Sequence, residues 1–456
     1  MSKARRLLIV SNRLPVVRGS GGRWQTSAGG LVTALLPIVR QSRGQWVGWL
    51  GGPGKRVRSF THDGMALRPV GLSQAEIQTY YHGYCNRTLW PLFHDAIRTP
   101  DFDSSWWAPY VEVNQRFARA AARTASKGQI VWVHDYHLML VPALLRAVRP
   151  DLRIGFFLHI PFPPEELFMW IPQRRELLVG LLGSDVVGFQ TYRDAQNFSR
   201  LSRRLAGAEG TDRELEFEGR RVACKDFPIS IDFDWFDERA RSPEVKAAAR
   251  EIRRRVGGDR KIFLSVDRLD YTKGIDARIR AFEHMLRQTS ASVDTCVLMQ
   301  IAAPSREDVR EYARMRAQID GMVGSINGEF SVPGRVAVHY FRRGFSREDI
   351  VPYYVAADVM LVTPLRDGMN LVAKEYVAAR SETDGVLVLS EFAGAAAELR
   401  QALLVNPRDI ERMSDAFRTA MTMRRPDARF RMAVLRSKVR RHDVHDWASE
   451  FLKELA

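Results

Sequence analysis

Short apolar segments alternate with helical segments along the chain. In the first half, four segments have the length and composition of buried strands: Leu7–Ser11, Ile130–Val133, Ile154–His159 and Asp185–Phe189. Helical patterns follow most of them, as at Leu138–Val148 and Asp194–Leu205. Strands covered on both faces read as nearly continuous apolar runs, and alternation with helices is typical of a parallel sheet. The first half is therefore predicted to be an α/β domain with a doubly wound sheet.

The same alternation restarts in the second half of the chain. Further strands are predicted at Lys261–Val266, Thr295–Ile301, Arg335–Tyr340, Asp358–Thr363, Gly385–Leu389 and Ala402–Val405. Helical patterns between them include Ile275–Arg287, Glu348–Ala356 and Leu371–Ala379. We expect a second Rossmann-like domain, with both domains facing a central cleft lined by the carboxyl ends of their strands.

The segment from Asp232 to Asp259 is charged and helical and is poor in strand-forming residues. It places the domain change near residue 235, so that residues 1–235 form an N-terminal domain and residues 236–440 a C-terminal domain. The amphipathic stretch Val444–Leu455 predicts a last helix within residues 441–456, which could pack back on the N-terminal domain.

The composition favours a globular protein of the cytoplasm. Apolar residues make up 45% of the 456 residues, and no run of about 18 uncharged apolar residues indicates a transmembrane helix. Leu7–Val10 is too short for the core of a signal peptide. Cys85, Cys224 and Cys296 are widely spaced and lack metal-ligand spacing, as expected of thiols in a reducing compartment.

The formal net charge of +16 admits several partners: nucleic acid, an anionic membrane or small anionic substrates. The cations are spread along the chain, with one triplet at Arg253–Arg255 and a basic segment at Arg424–Arg441. No recognised nucleic-acid motif and no basic stripe interleaved with aromatic residues accompanies them. We therefore expect a solvated, arginine-rich surface, with neither nucleic acid nor a membrane as partner.

In each half of the chain, one pattern typical of phosphate binding occurs at the end of the first strand. Arg13 ends the first strand, and the pair Gly29–Gly30 opens a helix whose backbone N–H groups could hold an anion. In the second half, Arg268 and Lys273 occupy one tight loop between a strand and a helix. Two cations at such a junction suit a diphosphate, which arginine can bind bidentately and lysine as a point charge.

Polar residues also follow two successive strands of the first half. The segments His134–His137 and His159–Pro163 place an aspartate and several histidines at strand ends. A single histidine there is commonly structural, but this clustering favours recognition of hydroxyl groups or handling of protons.

The most informative stretch is Arg366–Glu375, which follows the strand Asp358–Thr363. Asp367 can accept hydrogen bonds from sugar hydroxyls, and the N–H groups from Gly368 to Leu371 begin a helix that can hold phosphate. Glu375, about one turn further along, can accept two hydrogen bonds from a ribose diol, or it can be an ordinary surface charge.

These blocks together resemble the trehalose-6-phosphate synthase family, retaining glycosyltransferases of the GT-B fold. The resemblance covers nearly the whole chain and is carried by five long motifs: Leu89–His94, His134–Leu138, Gly155–Pro163, Arg268–Gly274 and Thr363–Val377. It implies that glucose is transferred from a nucleotide-glucose donor to glucose 6-phosphate, which gives α,α-trehalose 6-phosphate. UDP-glucose is the donor that we expect first.

The resemblance also implies roles for individual residues. Arg13, Tyr81 and Arg306 would hold the acceptor phosphate, Trp49 and Trp90 would shape the acceptor pocket, and Asp135 would bind acceptor hydroxyls. His159 would contact the donor glucose, Asp367 would hold its hydroxyls, Glu375 the ribose and Phe345 the base. Arg268 and Lys273 would neutralise the diphosphate with Met369, Asn370, Leu371 and Val372, and the catalytic set would be Asp135, His159, Arg268, Lys273 and Asp367.

The implied mechanism is a front-face transfer in which the leaving diphosphate accepts the proton of the acceptor hydroxyl. Arg268 and Lys273 would stabilise the developing charge, so neither a metal nor another cofactor is expected. The partners would be small-molecule substrates, and a homo-oligomer stays open.

Two segments differ from common family versions: the glycine-rich loop after Trp49, at Leu50–Gly54, and the segment Val338–Phe345. Because the second lies beside the expected base site, the donor base stays open among UDP, ADP and GDP. Another phosphorylated acceptor, glycerol 3-phosphate or a cyclitol phosphate, is the main rival interpretation. A catalytically silent binder and a nucleic-acid-binding protein are two further hypotheses from different functional classes.

Overall fold

The chain folds into two units, each built on a sheet whose central strands are parallel. The structure is a computed structural model that describes all residues except 1–6, 19–22, 27–29, 43, 55–57, 257, 289–290 and 306–309. The first unit comprises Met1–Pro228 and His445–Ala456, and the second comprises Ile229–Val444.

The described residues of the first unit form twelve strands and, before the chain enters the second unit, eight α-helices. The strands are β1 (Leu8–Arg13), β2 (Val16–Arg18), β3 (Trp24–Thr26), β4 (Gln45–Trp49), β5 (Phe60–His62), β6 (Met65–Pro69), β7 (Ile130–His134), β8 (Arg153–Phe157), β9 (Val186–Phe189), β10 (Glu209–Gly210), β11 (Glu214–Phe217) and β12 (Arg220–Asp226). The helices are α1 (Gly30–Gln41), α2 (Gln74–Glu76), α3 (Trp90–Phe93), α4 (Trp107–Thr124), α5 (Val141–Val148), α6 (Glu165–Phe168), α7 (Arg174–Leu182) and α8 (Tyr192–Leu201). A π-helix, Ile77–Leu89, continues α2 into α3.

The sheet of the first unit has ten strands in the order β10-β11-β12-β9-β8-β7-β1-β4-β6-β5. Its central strands are parallel, and β5, β10 and β11 pair antiparallel at the edges. The chain builds outward from β1 in both directions, so the order reverses between β1 and β7. Ligands of such sheets bind beyond the carboxyl ends of the strands at this switch point.

Eight α-helices and six strands are formed by the part of the second unit that the structure describes. The helices are α9 (Phe233–Arg241), α10 (Pro243–Val256), α11 (Ile275–Gln288), α12 (Arg310–Phe330), α13 (Arg347–Ala356), α14 (Leu371–Ala379), α15 (Ile410–Thr422) and α16 (Arg425–Arg441). The strands are β13 (Lys261–Arg268), β14 (Cys296–Ala303), β15 (Val338–Phe341), β16 (Val359–Val362), β17 (Val386–Ser390) and β18 (Leu403–Val405).

The sheet of the second unit is parallel throughout, in the order β15-β14-β13-β16-β17-β18. Numbered within the unit, this is the order 3-2-1-4-5-6 of dinucleotide-binding sheets. Its switch point lies between β13 and β16, so the loops after these two strands form the expected ligand site.

The last helix, α17 (Val444–Leu455), returns to the sheet of the first unit. The Phe451 ring stacks on Trp132 of β7 at a centroid distance of 4.4 Å, and the Trp447 indole donates a hydrogen bond to the Phe227 carbonyl at 3.1 Å. A Cβ on Gly155 of β8 would approach the Phe451 ring to 2.6 Å. A glycine in the strand therefore makes room for the helix.

The prediction of two doubly wound α/β domains is confirmed, whereas the boundary near residue 235 differs from the observed division. The chain passes between the units at Pro228–Ile229. Residue 235 lies inside α9, whose buried Phe233 and Phe236 make that helix part of the second unit. The charged composition of this segment correctly predicted a helix. Which of the two units the helix belongs to depends instead on the packing of its two buried aromatic residues. The second unit also extends to Val444, past the predicted end at residue 440.

Within the described residues, no helix is both long enough and apolar enough to cross a membrane. The three cysteines of the chain are all buried.

Replacing Phe451 by alanine tests the contribution of the last helix. We expect F451A to lower the free energy of unfolding by about 3–5 kcal/mol, since it leaves a cavity against Trp132 and Gly155. The matched control is F430A, because Phe430 of α16 is 65% exposed, and its loss should change stability by less than about 0.5 kcal/mol. Denaturant unfolding measures both, and equal effects would contradict the role of α17 in the core.

Candidate active site

Arg13 and Trp49 lie side by side at the switch point of the first sheet. Arg13 ends β1, and its guanidinium carbon lies 4.4 Å from the centre of the Trp49 ring, a cation–π arrangement. Gly51 has a φ of +97°, and a Cβ there would lie 1.7 Å from an Arg13 nitrogen. The glycine-rich loop that departs from the family pattern therefore has a local cause, because it gives the guanidinium its space.

Tyr81 continues this cluster from the π-helix. Its ring meets Trp49 edge to face at a centroid distance of 5.4 Å and stacks on His137 at 5.8 Å. A π-helix of this kind is rare and is frequent at functional sites, because its wider turn shifts the direction of side chains. Trp90 is buried and packs against Tyr136 at a centroid distance of 5.7 Å.

Asp135 sits at the end of β7 in a strained backbone conformation with φ +76°. Its Oδ1 accepts a 3.4 Å hydrogen bond from the His159 amide, and its Oδ2 lies 4.0 Å from Nδ1 of His137. The structure therefore brings Arg13, Trp49, Tyr81 and Asp135 together in one group, linked by His137. Arg306 and Gly29, which the sequence also predicts for the site, lie outside the described residues.

His134, which is buried, and His159, which is half-buried, form a pair beside this group. Nδ1 of His134 and Nε2 of His159 are 3.1 Å apart. Burial lowers the pKa of His159 to about 3, and burial together with the neighbouring His159 holds the pKa of His134 well below its usual value. Both rings are therefore neutral at physiological pH. This favours a hydrogen-bonding role for His159 and argues against a role as a proton donor or acceptor.

In the second unit, Lys273 and Asp367 meet at the switch point between β13 and β16. Nζ of Lys273 donates to Oδ2 of Asp367 at 2.5 Å, and the Asn370 amide donates to the same oxygen at 3.1 Å. Gly274 ends the short turn that carries Lys273, with a φ of +60° and no room for a Cβ beside the Thr363 carbonyl. Arg268, by contrast, is exposed at the end of β13.

Helix α14 begins beside this ion pair. Its N-cap residue, Asn370, has a left-handed backbone with φ +75°, and its side chain is engaged with Asp367. The amides of Leu371 and Val372 in the first turn lack carbonyl partners within the helix and carry the positive end of its dipole. Met369, which precedes the cap, is buried and fixes the loop.

Glu375 lies one turn into α14 and is not a free surface charge. Its Oε2 accepts a 2.8 Å hydrogen bond from the hydroxyl of Tyr354 on α13, and burial raises the pKa of its carboxyl. Phe345 precedes α13 and packs against Tyr353 at a centroid distance of 5.0 Å. The Arg343 guanidinium lies 4.7 Å above the Phe345 ring. Phe345 directly precedes α13, and Glu375 is hydrogen-bonded to Tyr354 of α13, so both residues lie beside this helix.

Sequence analysis missed Arg278 of α11, which is fully buried beneath the Lys273 loop. Its guanidinium bonds Asp267 at 2.6 Å, Thr363 at 3.0 Å and the Lys273 carbonyl at 3.1 Å. The carboxyl end of β13, the end of β16 and the loop with the predicted phosphate ligands are thus held by one cation. The only signal in the sequence was a lone arginine among apolar residues on the buried face of a helix.

Comparison with known proteins identifies the family of the chain. A model described as Glycosyltransferase family 20 matches residues 5–456. The trehalose-6-phosphate synthase of Mycolicibacterium gilvum is 51% identical over 469 residues, which cover 98% of this chain and 93% of the relative.

Solved structures give the same result. An α,α-trehalose-phosphate synthase (UDP-forming) from Burkholderia vietnamiensis is 37% identical, with a TM-score of 0.89 and coverage of 99% of both chains. The corresponding enzyme from Burkholderia xenovorans, solved in complex with glucose-6-phosphate, is 36% identical with a TM-score of 0.91 and the same coverage. With nearly the whole chain matched, the protein is a glycosyltransferase and belongs to glycosyltransferase family 20.

Proposed function

We propose that the chain transfers glucose from UDP-glucose to glucose 6-phosphate with retention of the anomeric configuration, which yields α,α-trehalose 6-phosphate. The observation that carries this proposal is the pairing of Lys273 with Asp367 at the switch point of a dinucleotide-binding sheet, beside the open end of α14. The relatives named above, a UDP-forming enzyme and one complexed with glucose-6-phosphate among them, support the choice of substrates.

The donor would lie along the switch point of the second sheet. Arg268 and Lys273 bind its diphosphate together with the amides of Leu371 and Val372, because helix N-termini and cations both favour phosphate oxygens. Asp367 accepts hydrogen bonds from glucose hydroxyls, with Asn370 and Lys273 fixing its carboxylate. The remaining donor contacts would be Gly29, Gly30, Phe345, Met369 and Glu375.

The acceptor would lie on the group formed by Arg13, Trp49, Tyr81 and Asp135. Arg13 and Tyr81 meet the phosphate, Trp49 and Trp90 supply apolar walls, and Asp135 accepts hydrogen bonds from sugar hydroxyls. The family resemblance assigns Arg306 to the same phosphate. Because Arg13 would serve any phosphorylated acceptor, glycerol 3-phosphate and cyclitol phosphates are the rival acceptors to test.

The proposed chemistry is a front-face substitution. The bond between the anomeric carbon and the diphosphate oxygen breaks while the acceptor oxygen bonds to the same carbon, and the acceptor proton moves to the leaving diphosphate. Arg268 and Lys273 stabilise the negative charge on that leaving group, which is the electrostatic contribution that lowers the barrier. Neutral His159 holds a glucose hydroxyl and transfers no proton.

The proposal requires no metal and no further cofactor, because the two cations neutralise the diphosphate. We further propose that the enzyme acts in the cytoplasm and that its partners are small molecules, with neither nucleic acid nor a membrane among them. Whether it forms a homo-oligomer stays open.

A matrix of substrates tests the function directly. Purified protein is mixed with UDP-, ADP- or GDP-glucose and with glucose 6-phosphate or a rival phosphorylated acceptor, and the products are followed by NMR. We expect turnover with UDP-glucose and glucose 6-phosphate and an α,α-1,1-linked disaccharide phosphate as product. Turnover only with another acceptor would reassign the substrate, and no turnover with any pair would favour a silent binder.

Replacing Arg268 by alanine tests the electrostatic role. We expect R268A to lower kcat by about 10²-fold or more, since it removes a charge that acts mainly in the transition state. The control is R424A, because Arg424 has an 83% exposed side chain and pairs with Asp427 on the surface. Steady-state kinetics measure both variants, and an unchanged kcat in R268A would exclude the role.

The low pKa of His159 gives a third test. A ring that is neutral above a pKa of about 3 does not change charge between pH 5 and 8. H159N should therefore raise the KM for UDP-glucose while leaving the shape of the pH profile of kcat unchanged over this range. If H159N abolished a limb of that profile, the histidine would have to act in proton transfer.

A further inference from the structure

A single hydrogen bond joins α13 to the carboxylate proposed to hold the donor ribose. Tyr354 is 1% exposed, and its hydroxyl donates to Oε2 of Glu375 at 2.8 Å. The ring of Tyr354 also packs edge to face against Tyr376 of α14 at 6.5 Å, which restricts its movement. The bond therefore fixes the orientation of the Glu375 carboxylate relative to the helix that carries it.

Arg347 is the second group of α13 that faces Glu375. Its guanidinium carbon lies 3.6 Å from the centre of the Trp235 ring and 4.7 Å from that of Phe236, both on α9, and Nη2 lies 3.7 Å from Oδ2 of Asp232. The aromatic rings hold the cation in place. Its positive charge favours the ionised form of Glu375.

Three effects set the protonation of this carboxylate. Burial raises the pKa of Glu375, while the Tyr354 hydrogen bond and the Arg347 charge lower it. These two groups thus oppose the burial and favour the ionised, hydrogen-bond-accepting form.

The other charged groups around α14 have partners of their own. Lys374 pairs with Glu398 at 2.6 Å, and Arg436 of α16 pairs with Asp237 of α9. Asp267 faces Tyr354 from β13, where it pairs with the buried Arg278. The groups of α13 that act on Glu375 are therefore the Tyr354 hydroxyl and the Arg347 guanidinium.

We propose that Tyr354 is a positioning residue of the donor site, which turns the Glu375 carboxylate so that its remaining lone pairs accept both hydroxyls of a ribose diol. An ionised carboxylate has about four acceptor positions, so one bond to tyrosine leaves enough for a diol. This inference rests on the proposed function, because it names what orients the ribose ligand of that site.

One consequence concerns the sugar of the nucleotide. A carboxylate held in one orientation loses a hydrogen bond and keeps a desolvated oxygen when the 2′-hydroxyl is absent, so it discriminates against 2′-deoxyribonucleotides. A carboxylate that is free to rotate can turn back to solvent, so it loses less binding free energy when the 2′-hydroxyl is absent. Tyr354 therefore contributes to selectivity for ribose as well as to affinity.

Calorimetric binding of UDP and of 2′-deoxy-UDP to the full chain tests this without turnover. We expect Y354F to bind UDP about three- to tenfold more weakly than the unmodified protein, as for the loss of one typical hydrogen bond, with 2′-deoxy-UDP nearly unaffected. The matched control is Y376F: Tyr376 is also buried, but its hydroxyl faces the carbonyls of Ala357 and Asp358 at 3.4 and 3.3 Å. Y376F should keep the full preference for UDP, and E375Q should lose it.

Kinetics give a second readout that loss of packing alone would not produce. In Y354F the KM for UDP-glucose should rise, with kcat and the KM for glucose 6-phosphate unchanged. Because the lost hydrogen bond had lowered the pKa of Glu375, the acid limb of kcat/KM for UDP-glucose should move to higher pH. UDP-glucose suits this profile because it has no terminal phosphate that titrates near neutrality.

The inference is overturned if Y354F keeps the full preference for UDP over 2′-deoxy-UDP, or if Y354F and Y376F lose it equally. These outcomes differ from a failure of the proposed function itself. Absence of UDP binding by the unmodified protein would overturn the proposed function and this inference together, whereas unaltered UDP binding by Y354F would overturn the inference alone.

Discussion

The hydrogen bonds of the buried Arg278 guanidinium are the interactions on which the proposed donor site depends. It bonds side chains at the ends of β13 and β16 and a carbonyl of the loop between β13 and α11, so three segments converge on one charge. A buried cation is tolerated only with a full set of partners, and removing one partner costs about 3–5 kcal/mol. The loop that carries Lys273 therefore has one low-energy arrangement. The lysine that we propose as a phosphate ligand is therefore held in place by the protein itself.

In the first unit, other interactions hold the candidate site residues in place. Its switch point lies between β1 and β7, and the residues after these strands are fixed by aromatic stacking and by a strained aspartate. Arg13 lies on Trp49, Tyr81 lies between Trp49 and His137, and Asp135 is held by the backbone of His159. Rigid rings orient the polar groups here, as the buried ion pair does in the second unit.

The sequence predicted β1, β7, β8 and β9 of the first sheet and all six strands of the second, because these strands are largely buried and stand out as apolar runs. Helix α14 and helix α17 have the bounds Leu371–Ala379 and Val444–Leu455, as the periodicity indicated. The other strands, β2 to β6 and β10 to β12, escaped prediction. Several of them are only two or three residues long, and β5, β10 and β11, at or next to the edges of the sheet, carry polar residues.

Contacts between distant segments set the limit of what the sequence could show of the site. The strand-end motifs pointed to Lys273, Asp367 and Asp135 because parallel strands bring such ends together. The partners Arg278 and Tyr354 were not found, because their importance comes from what they touch about 85 and 21 residues away. The π-helix that presents Tyr81 also gave no signal, since its composition resembles that of an ordinary helix. The assigned roles of the individual site residues stay predictions.

The return of α17 to the first sheet has a consequence for biosynthesis. The residues of the second unit are inserted, in sequence, between the two parts of the first. During translation, the second unit has all its residues before the ribosome has made Trp447 and Phe451, which cover β7 and β8. Domains generally fold as units as they emerge. The first unit, whose synthesis begins first, therefore receives its last helix only after the second unit has been synthesised. The nascent chain must keep the face of a large sheet uncovered until the final helix leaves the exit tunnel.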